Sequence, residues 1–501
     1  MFDFASIFDG LSLLTDSWHP WSLVIPGLII GLVMGVIPGM QTSMAMAIFL
    51  PLTFTLDFLT AILFLTAIFT GGMFGGGITA ILMNIPGTSS AVATTFDGYP
   101  MTKKGLHNEA LGISLVASCI GAFIGYLILM LLIQPLTGIV LGLGPTEMFV
   151  VILWGMTLIA TLSGDYMLRS LMIGVVGLLV GTIGMSATGV IRGTFDNPHL
   201  LDGVAIIPAM IGMFAASELF SVPKEDAGAD KQFKLVNIRA VMRGGLQALK
   251  MPGLIIRGSL FGTLIGAIPG IGSSVANLVS YGDAKRRSQD PDSFGQGNPA
   301  GVAASESANS SSEGGGMVSL FALGIPGGAG TAILLAAFSV HNVTGGPRFM
   351  AEHADVIYAI IIANLAQALL LLVVGVFLLP MMASIVRVPR SVLGPSVIVL
   401  ATFGSYGITG DMVGPITLVI FSAIGWVLRK YHYSVAAAVI GMLLGGMAES
   451  ELLRSVQISG AKFSFLLGRP ITLSLLGLLV LSVIWPIVRK RWKNKKLAAQ
   501  A

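Results

Sequence analysis

Gly31-Leu-Val-Met-Gly35-Val-Ile-Pro38-Gly39-Met-Gln-Thr42-Ser43-Met-Ala45 returns without a gap as Gly262-Thr-Leu-Ile-Gly266-Ala-Ile-Pro269-Gly270-Ile-Gly-Ser273-Ser274-Val-Ala276. The offset is 269 − 38 = 231, and seven positions are identical. Further on, Gly75-Gly76-Gly77 leads to Asn84-Ile85-Pro86-Gly87-Thr88, and Gly314-Gly315-Gly316 leads to Gly324-Ile325-Pro326-Gly327-Gly328, at an offset of 326 − 86 = 240. Two motifs in the same order at nearly constant spacing make the chain two homologous halves around a polar linker near Ser221–Met251.

Charge decides what the halves are made of. Charged residues are 10% of the 501-residue chain, where a soluble protein carries about 25%. Hydrophobic residues make up 54% and mean hydropathy is +0.88, with apolar runs recurring from Leu23 to near Val488 at the length a bilayer-crossing helix needs. The reading is an all-α polytopic membrane protein with roughly ten to fourteen membrane segments, short re-entrant ones included. The 64 glycines and 23 prolines are tolerated in membrane helices where neighbours or cavities satisfy the freed backbone groups, so broken helices are expected.

Several chemistries fall away. The single cysteine, Cys119, allows no intrachain disulfide and no thiolate metal site. There is no G-x-x-x-x-G-K-[ST] loop for ATP hydrolysis and no H-E-x-x-H. Neither Ser163-Gly164 nor Ser459-Gly460 is preceded by the glycine of a G-x-S-G intramembrane protease motif. The chain is therefore read as no enzyme, with no cofactor and no metal beyond a transported ion. Basic residues without aromatic interleaving, in a membrane chain of net charge +4, are no nucleic-acid footprint.

Orientation follows from where lysine and arginine fall. Arg243, Lys250 and Arg257 precede the second Ile-Pro-Gly segment, and Lys285, Arg286 and Arg287 follow it. A single span would leave one cluster outside, against the positive-inside tendency, so this segment reads as a re-entrant hairpin that enters and leaves on the cytoplasmic side. The first copy is flanked only by Asp16, His19 and Asp57, as for entry from outside. The second motif reverses the sign: Lys103 and Lys104 follow its first copy, whereas His341, Arg348 and Glu352 follow the second. The halves are thus expected to be inverted repeats, the architecture of secondary transporters. The expected organisation is an N-terminal interfacial segment 1–21, a first membrane repeat 22–220, a cytoplasmic linker 221–257, a second repeat 258–488 and a basic cytoplasmic tail 489–501 containing Arg489, Lys490, Arg491, Lys493, Lys495 and Lys496.

Proline lacks an N–H and glycine accepts φ > 0, so Ile-Pro-Gly in an apolar segment leaves backbone groups unpaired. A helix starting after such a break presents N–H groups and a positive dipole end to an anion. The candidate substrate residues are Gly39, Thr42 and Ser43, meeting Gly270, Ser273 and Ser274 at the hairpin tips, with Asn84, Gly87, Thr88, Gly327 and Gly328 from the broken helices. Small-residue helix packing is the competing explanation. Residues Gly301–Leu323 look too polar to span, yet the repeat aligns them with the apolar stretch around Ile62–Asn84. Glu306, Asn309 or Ser310, and Glu313 share one helical face. An ionisable group in the bilayer is a functional hypothesis by default, so Glu306 and Asn309 are candidates for coupling a sodium ion or proton. A cytoplasmic loop is the alternative for this stretch, and span-end charges the expectation for Asp165, Arg169, Glu449 and Glu451.

At Asn84-Ile-Pro-Gly-Thr, Phe96-Asp-Gly-Tyr-Pro-Met101, Glu109-Ala-Leu-Gly-Ile113, Gly266-Ala-Ile-Pro-Gly270 with Ser280-Tyr-Gly-Asp-Ala-Lys-Arg286, and Gly324-Ile-Pro-Gly327, the chain resembles the large membrane subunit of the tripartite tricarboxylate transporter family, from about Leu23 to Val488. The resemblance implies a bacterial inner-membrane permease that works with a small four-helix membrane subunit and a periplasmic solute-binding protein, importing citrate-like or other organic carboxylates by ion-coupled secondary transport. Family members commonly show Glu-Ala-Ala-Asn where this chain has Glu306-Ser-Ala-Asn309. They often carry a further glycine at Met40-Gln41. Hairpins followed by broken helices are also similar to elevator-type transporters at the level of fold alone. An anion channel on the same helix ends, or a scaffolding subunit with no site, are the competing functions.

Overall fold

The computed structural model describes residues 4–37, 40–140, 142–161, 166–186, 189–217, 236–269, 272–385, 390–460 and 469–482. The first half comprises α1 (Phe4–Thr15), α2 (Val24–Val36), α3 (Thr42–Phe49), α4 (Phe58–Met83), α5 (Val92–Lys103) and α6 (His107–Val140), followed by α7 (Pro145–Thr161), α8 (Met167–Val180) and α9 (Ile206–Ile211). The second half repeats the order as α10 (Ile238–Leu249), α11 (Pro252–Gly266), α12 (Gly272–Arg287), α13 (Pro299–Leu323), α14 (Ala329–Val340), the short α15 (Pro347–Glu352) and α16 (Ala354–Ile385). It continues with α17 (Arg390–Thr409), α18 (Val413–Lys430), α19 (Val435–Ile458) and α20 (Pro470–Ser482). One antiparallel ribbon, Gly184–Met185 with Ile191–Arg192, interrupts the helices.

Among the described residues six helices are long and apolar enough to cross a membrane, or seven if α10 and α11, bent by 81°, make one span. The apolar helices α1, α3 with the turn that extends it to Thr55, α8, α14 and α20 are too short by this measure, and α13 is too polar despite its 25 residues. Yet α13 is buried from Gly301 to Ala322, as its alignment with α4 requires and a cytoplasmic loop would not be. Of the segment 221–257 read as a linker, 221–235 lie outside the described residues, and the remainder holds α10 and the first turns of α11.

The chain forms two compact units, residues 1–137 with 207–426, and residues 138–206 with 427–501. In the second, α8 packs on α19, Arg192 pairs with Glu449, and buried Glu147 accepts from Thr472 Oγ1 at 2.6 Å and Arg469 Nη1 at 3.3 Å. Arg169 Nη1 donates to the Tyr431 carbonyl at 2.8 Å, and Asp165 lies outside the described residues.

In the first unit the halves are built alike. Asp57 caps α4 by accepting from the Thr60 N–H at 2.9 Å, and Asn298 caps α13 by accepting from the Ala300 N–H at 2.8 Å. Both helices end on a left-handed residue two positions before proline, Asn84 at φ 58° and Gly324 at φ 68°. Glycine and asparagine are the residues that adopt this C-cap at low cost. Asn84→Gly is therefore expected to leave the melting temperature in detergent unchanged, and Asn84→Ala to cost about 1 kcal/mol. Loss of transport in both with no loss of stability would instead make the amide a ligand.

Helices α2 and α11 carry glycine stripes at identical spacing, Gly27, Gly31, Gly35 and Gly258, Gly262, Gly266, which let backbones approach closely, as small-residue stripes do in membranes. A Cβ on Gly31 would lie 2.2 Å from the Ile68 carbonyl oxygen of α4, and one on Gly262 2.3 Å from that of Ala308 of α13. The halves also embrace crosswise. Gly10 of α1 lies against the backbone of Asp355 and Ala359 at the start of α16, while Gly244 of α10 lies against that of Glu109 at the start of α6. The first helix of each half thus rests on the long helix of the other.

Candidate functional site

The two breaks of each half converge on one cavity of about 200 Å³ in the first unit, several times the ~30 Å³ share of one water. Helix starts surround it. Thr42 and Ser43 open α3, Ser89 and Ser90 form the turn leading into α5, Ser273 and Ser274 open α12, and Gly328 to Thr331 open α14. Phe69 and Met73 of α4, Ser312 and Gly316 of α13, and Gly266 of α11 complete the wall. Among the described residues no Lys, Arg, His, Asp or Glu lines it. Each helix N-terminus carries roughly half a positive charge on unpaired N–H groups, worth about 0.3–2 kcal/mol towards an anion.

The hydroxyls are partly committed to one another. Ser274 Oγ donates to Ser89 Oγ at 3.1 Å, joining the hairpin of one half to the broken helix of the other. Ser89 in turn donates through its Oγ, at 3.4 Å, and its N–H, at 3.3 Å, to Gln41 Oε1. Thr88 and Ser90 bond at 2.9 Å. Thr42 Oγ1, buried at the cavity wall, has no hydrogen-bond partner among the described residues.

Seven of the eleven residues expected to bind substrate line this cavity: Thr42, Ser43, Thr88, Ser273, Ser274, Gly327 and Gly328. Gly39 and Gly270 lie outside the described residues. Asn84 and Gly87 shape the break instead of lining the space. Asn84 is the C-cap of α4, and Gly87 donates its N–H to the Gly76 carbonyl at 3.2 Å, where a Cβ would lie 2.3 Å from the Gly35 carbonyl oxygen.

Glu306 and Asn309 sit behind the wall, fully buried on α13. Glu306 accepts from Thr94 of α5 and from Ser118 Oγ of α6 at 3.1 Å. Asn309 Nδ2 donates to the carbonyl of the cavity residue Met73 at 3.1 Å, and its Oδ1 has no partner among the described residues. Glu313 accepts from Tyr126 Oη at 2.7 Å and Thr70 Oγ1 at 2.8 Å. No grouping of three or more His, Cys, Asp or Glu able to hold a metal occurs among the described residues.

The lining residues that the sequence left unassigned are Gln41, Phe69, Met73, Gly266, Ser312, Gly316 and Ala329 to Thr331, while Ser89 and Ser90 belong with Thr88 to the hydroxyls that the sequence places beside a break. Gly316 had a signal, because it is the counterpart of Gly76 at the 240-residue offset. Asp97, in the Phe96-Asp-Gly motif, gains a role from the structure. Its Oδ1 accepts the N–H groups of Gly295, Gly297 and Asn298, each at 2.8 Å, and Oδ2 accepts Tyr281 Oη at 2.9 Å. It anchors the loop before α13 to α5.

A family model described as the Tripartite tricarboxylate transporter TctA family matches residues 22–440. An uncharacterized 52.8 kDa protein of the TAR-I ttuC' 3' region in Agrobacterium vitis is 30% identical over 453 residues, 89% of either chain. An uncharacterized protein of the TAR-II ttuC' 3' region in the same organism is 30% identical over 223 residues, 44% of this chain and 92% of its own. No solved structure matches the chain significantly.

Proposed function

The chain belongs to the Tripartite tricarboxylate transporter TctA family, and on that footing we propose that it is the permease of a binding-protein-dependent secondary importer of tricarboxylates or related organic carboxylates. It is the large subunit of a tripartite membrane transport system. Its partners in this reading are a small four-helix membrane subunit and a periplasmic solute-binding protein, and its place is the bacterial inner membrane with the C-terminus in the cytoplasm.

The observation that carries the reading is the convergence of four helix starts on one cavity lined by hydroxyls and, among the described residues, by no cationic side chain. Carboxylates can be held there by N–H and O–H donors alone and released again, which a buried lysine or arginine pair would resist. Halves of opposite orientation, moving like an elevator, would present this cavity to each side in turn. The crosswise packing of α1 and α10 supports a two-fold relation, and the charge pattern supports inversion. Glu306 and Asn309, one layer behind the cavity, would couple a sodium ion or proton to the carboxylate.

Uptake of labelled citrate and other organic carboxylates into proteoliposomes tests this, with the small subunit present, the binding protein outside and an imposed sodium or proton gradient. Accumulation that needs the binding protein and one of the gradients is expected. Equilibration that needs neither would replace the importer with an anion channel. Thr42→Val removes a hydroxyl that is unpaired among the described residues, so the empty protein should melt unchanged or slightly higher. Carboxylate binding, followed by ligand-induced stabilisation, should weaken about fivefold, the value of one neutral hydrogen bond. A fall in melting temperature would make the hydroxyl structural.

A further inference from the structure

Helix α10 has three faces. At about 100° per residue, Ala240, Val241, Gly244, Gly245 and Ala248 form one sector, buried on α6. Ile238, Met242, Leu246 and Leu249 form the next, each 40–59% exposed. Arg239 and Arg243 form the third, continued just past the helix by Lys250, all exposed and none with an acidic partner among the described residues. The chain turns by 81° into α11, so if α11 enters the bilayer then α10 lies nearly in its plane.

Helix α1 repeats the plan with the charge reversed. Gly10 and Leu14 are buried, with Gly10 seated on α16, while Phe4, Phe8 and Leu11 are exposed. Exposed Asp9, and Asp16 just beyond the helix, occupy the sector that Arg239, Arg243 and Lys250 fill on α10. The architecture is kept while the charge changes sign, so the charge answers to something outside the fold.

We propose that α10 is a membrane-surface helix that docks on anionic phospholipid, its apolar stripe at the acyl boundary and Arg239, Arg243 and Lys250 on the headgroups. An apolar face bordered by bases is the pattern of interfacial binding, and the cytoplasmic leaflet supplies the negative surface that attracts it. The acidic α1 suits the opposite leaflet. This surface is separate from the substrate cavity and holds for importer or channel alike.

The test uses the full chain in phosphatidylcholine vesicles with and without phosphatidylglycerol, carrying a nitroxide at Leu246→Cys or at Gln247→Cys. Oxygen should collide with the label at position 246 more often than a water-soluble nickel chelate does, and the order should reverse at 247. Spin-labelled phosphatidylglycerol should be enriched at the protein over spin-labelled phosphatidylcholine. The combined variant Arg239→Gln, Arg243→Gln and Lys250→Gln should lower that preference, by about fivefold per base removed. A water-like reading at 246 would overturn the proposal. So would exclusion of both reagents once the small subunit is bound, which would make the face a protein interface, or a lipid preference that the variant leaves unchanged.

Discussion

Gly262→Val is expected to prevent the protein from reaching its folded state, with loss of the monodisperse peak on size-exclusion chromatography in detergent. Even a Cβ at this position would lie 1.9 Å from Ser311 Oγ and 2.3 Å from the Ala308 carbonyl oxygen. The serine can rotate away, but the carbonyl belongs to the α13 backbone. The axes of α11 and α13 would have to separate by more than an ångström, undoing the contact along the whole stripe. Overpacking of this kind costs about 1–3 kcal/mol where side chains yield, and more where only backbone can. Because α13 also carries Glu306 towards α5 and α6, the displacement would reach the buried acid as well. Gly253 lies on the same helix with nothing within 4 Å of its would-be Cβ, so Gly253→Ala should fold normally. Equal melting of the two variants would refute the close-packing account.

The repeat was legible because its information is carried by glycine and proline, whose backbone consequences are local. Gly31 and Gly262, or Pro86 and Pro326, announce the same geometry wherever they stand. The polar helix α13 was legible only through that repeat. Hydropathy reads Ser305, Glu306, Asn309 and Ser310 as a loop, since it cannot see that α4, α5, α6, α11 and α12 will cover them. Asn84 shows a different limit. An amide beside a helix break reads equally as a ligand or as a left-handed cap, and only its counterpart Gly324, which has no side chain, favours the cap. Phe69 and Met73 gave no signal at all, because an aromatic or methionine on an apolar helix looks the same whether it faces lipid, core or cavity. Their counterparts at the 240-residue offset are Asn309 and Glu313, so the two central helices keep one backbone plan while only the second presents an acidic face.

That asymmetry motivates the second large expectation: Glu306→Gln should abolish concentrative carboxylate uptake while leaving exchange across the membrane. Glu306 is fully buried, and the groups that face its carboxyl are neutral: the hydroxyls of Thr94 and Ser118, with Asn309 and Ser114 beside them. A buried carboxylate costs several kcal/mol when no opposite charge pairs it, and neutral donors bring no opposite charge. In the proposed coupling an ionised Glu306 would bring a cation with it, and a neutral one would carry a proton. Its charge state would then be tied to an ion, while its helix reaches the cavity wall through Asn309 and Met73. Glutamine keeps the shape and one acceptor oxygen but cannot change charge, so carboxylate could still bind and exchange without drawing an ion with it. Coupling of about 1–3 kcal/mol corresponds to a 5- to 150-fold effect, and its loss should bring the accumulation ratio in a gradient down to unity. Counterflow of labelled against unlabelled carboxylate, measured in the same vesicles, should persist. Full accumulation by the Glu306→Gln protein would show that the acid serves only to tie α13 to α5 and α6, and the coupling ion would then have to be sought at Glu313, whose carboxylate is held by Tyr126 and Thr70 one face-repeat further along the same helix.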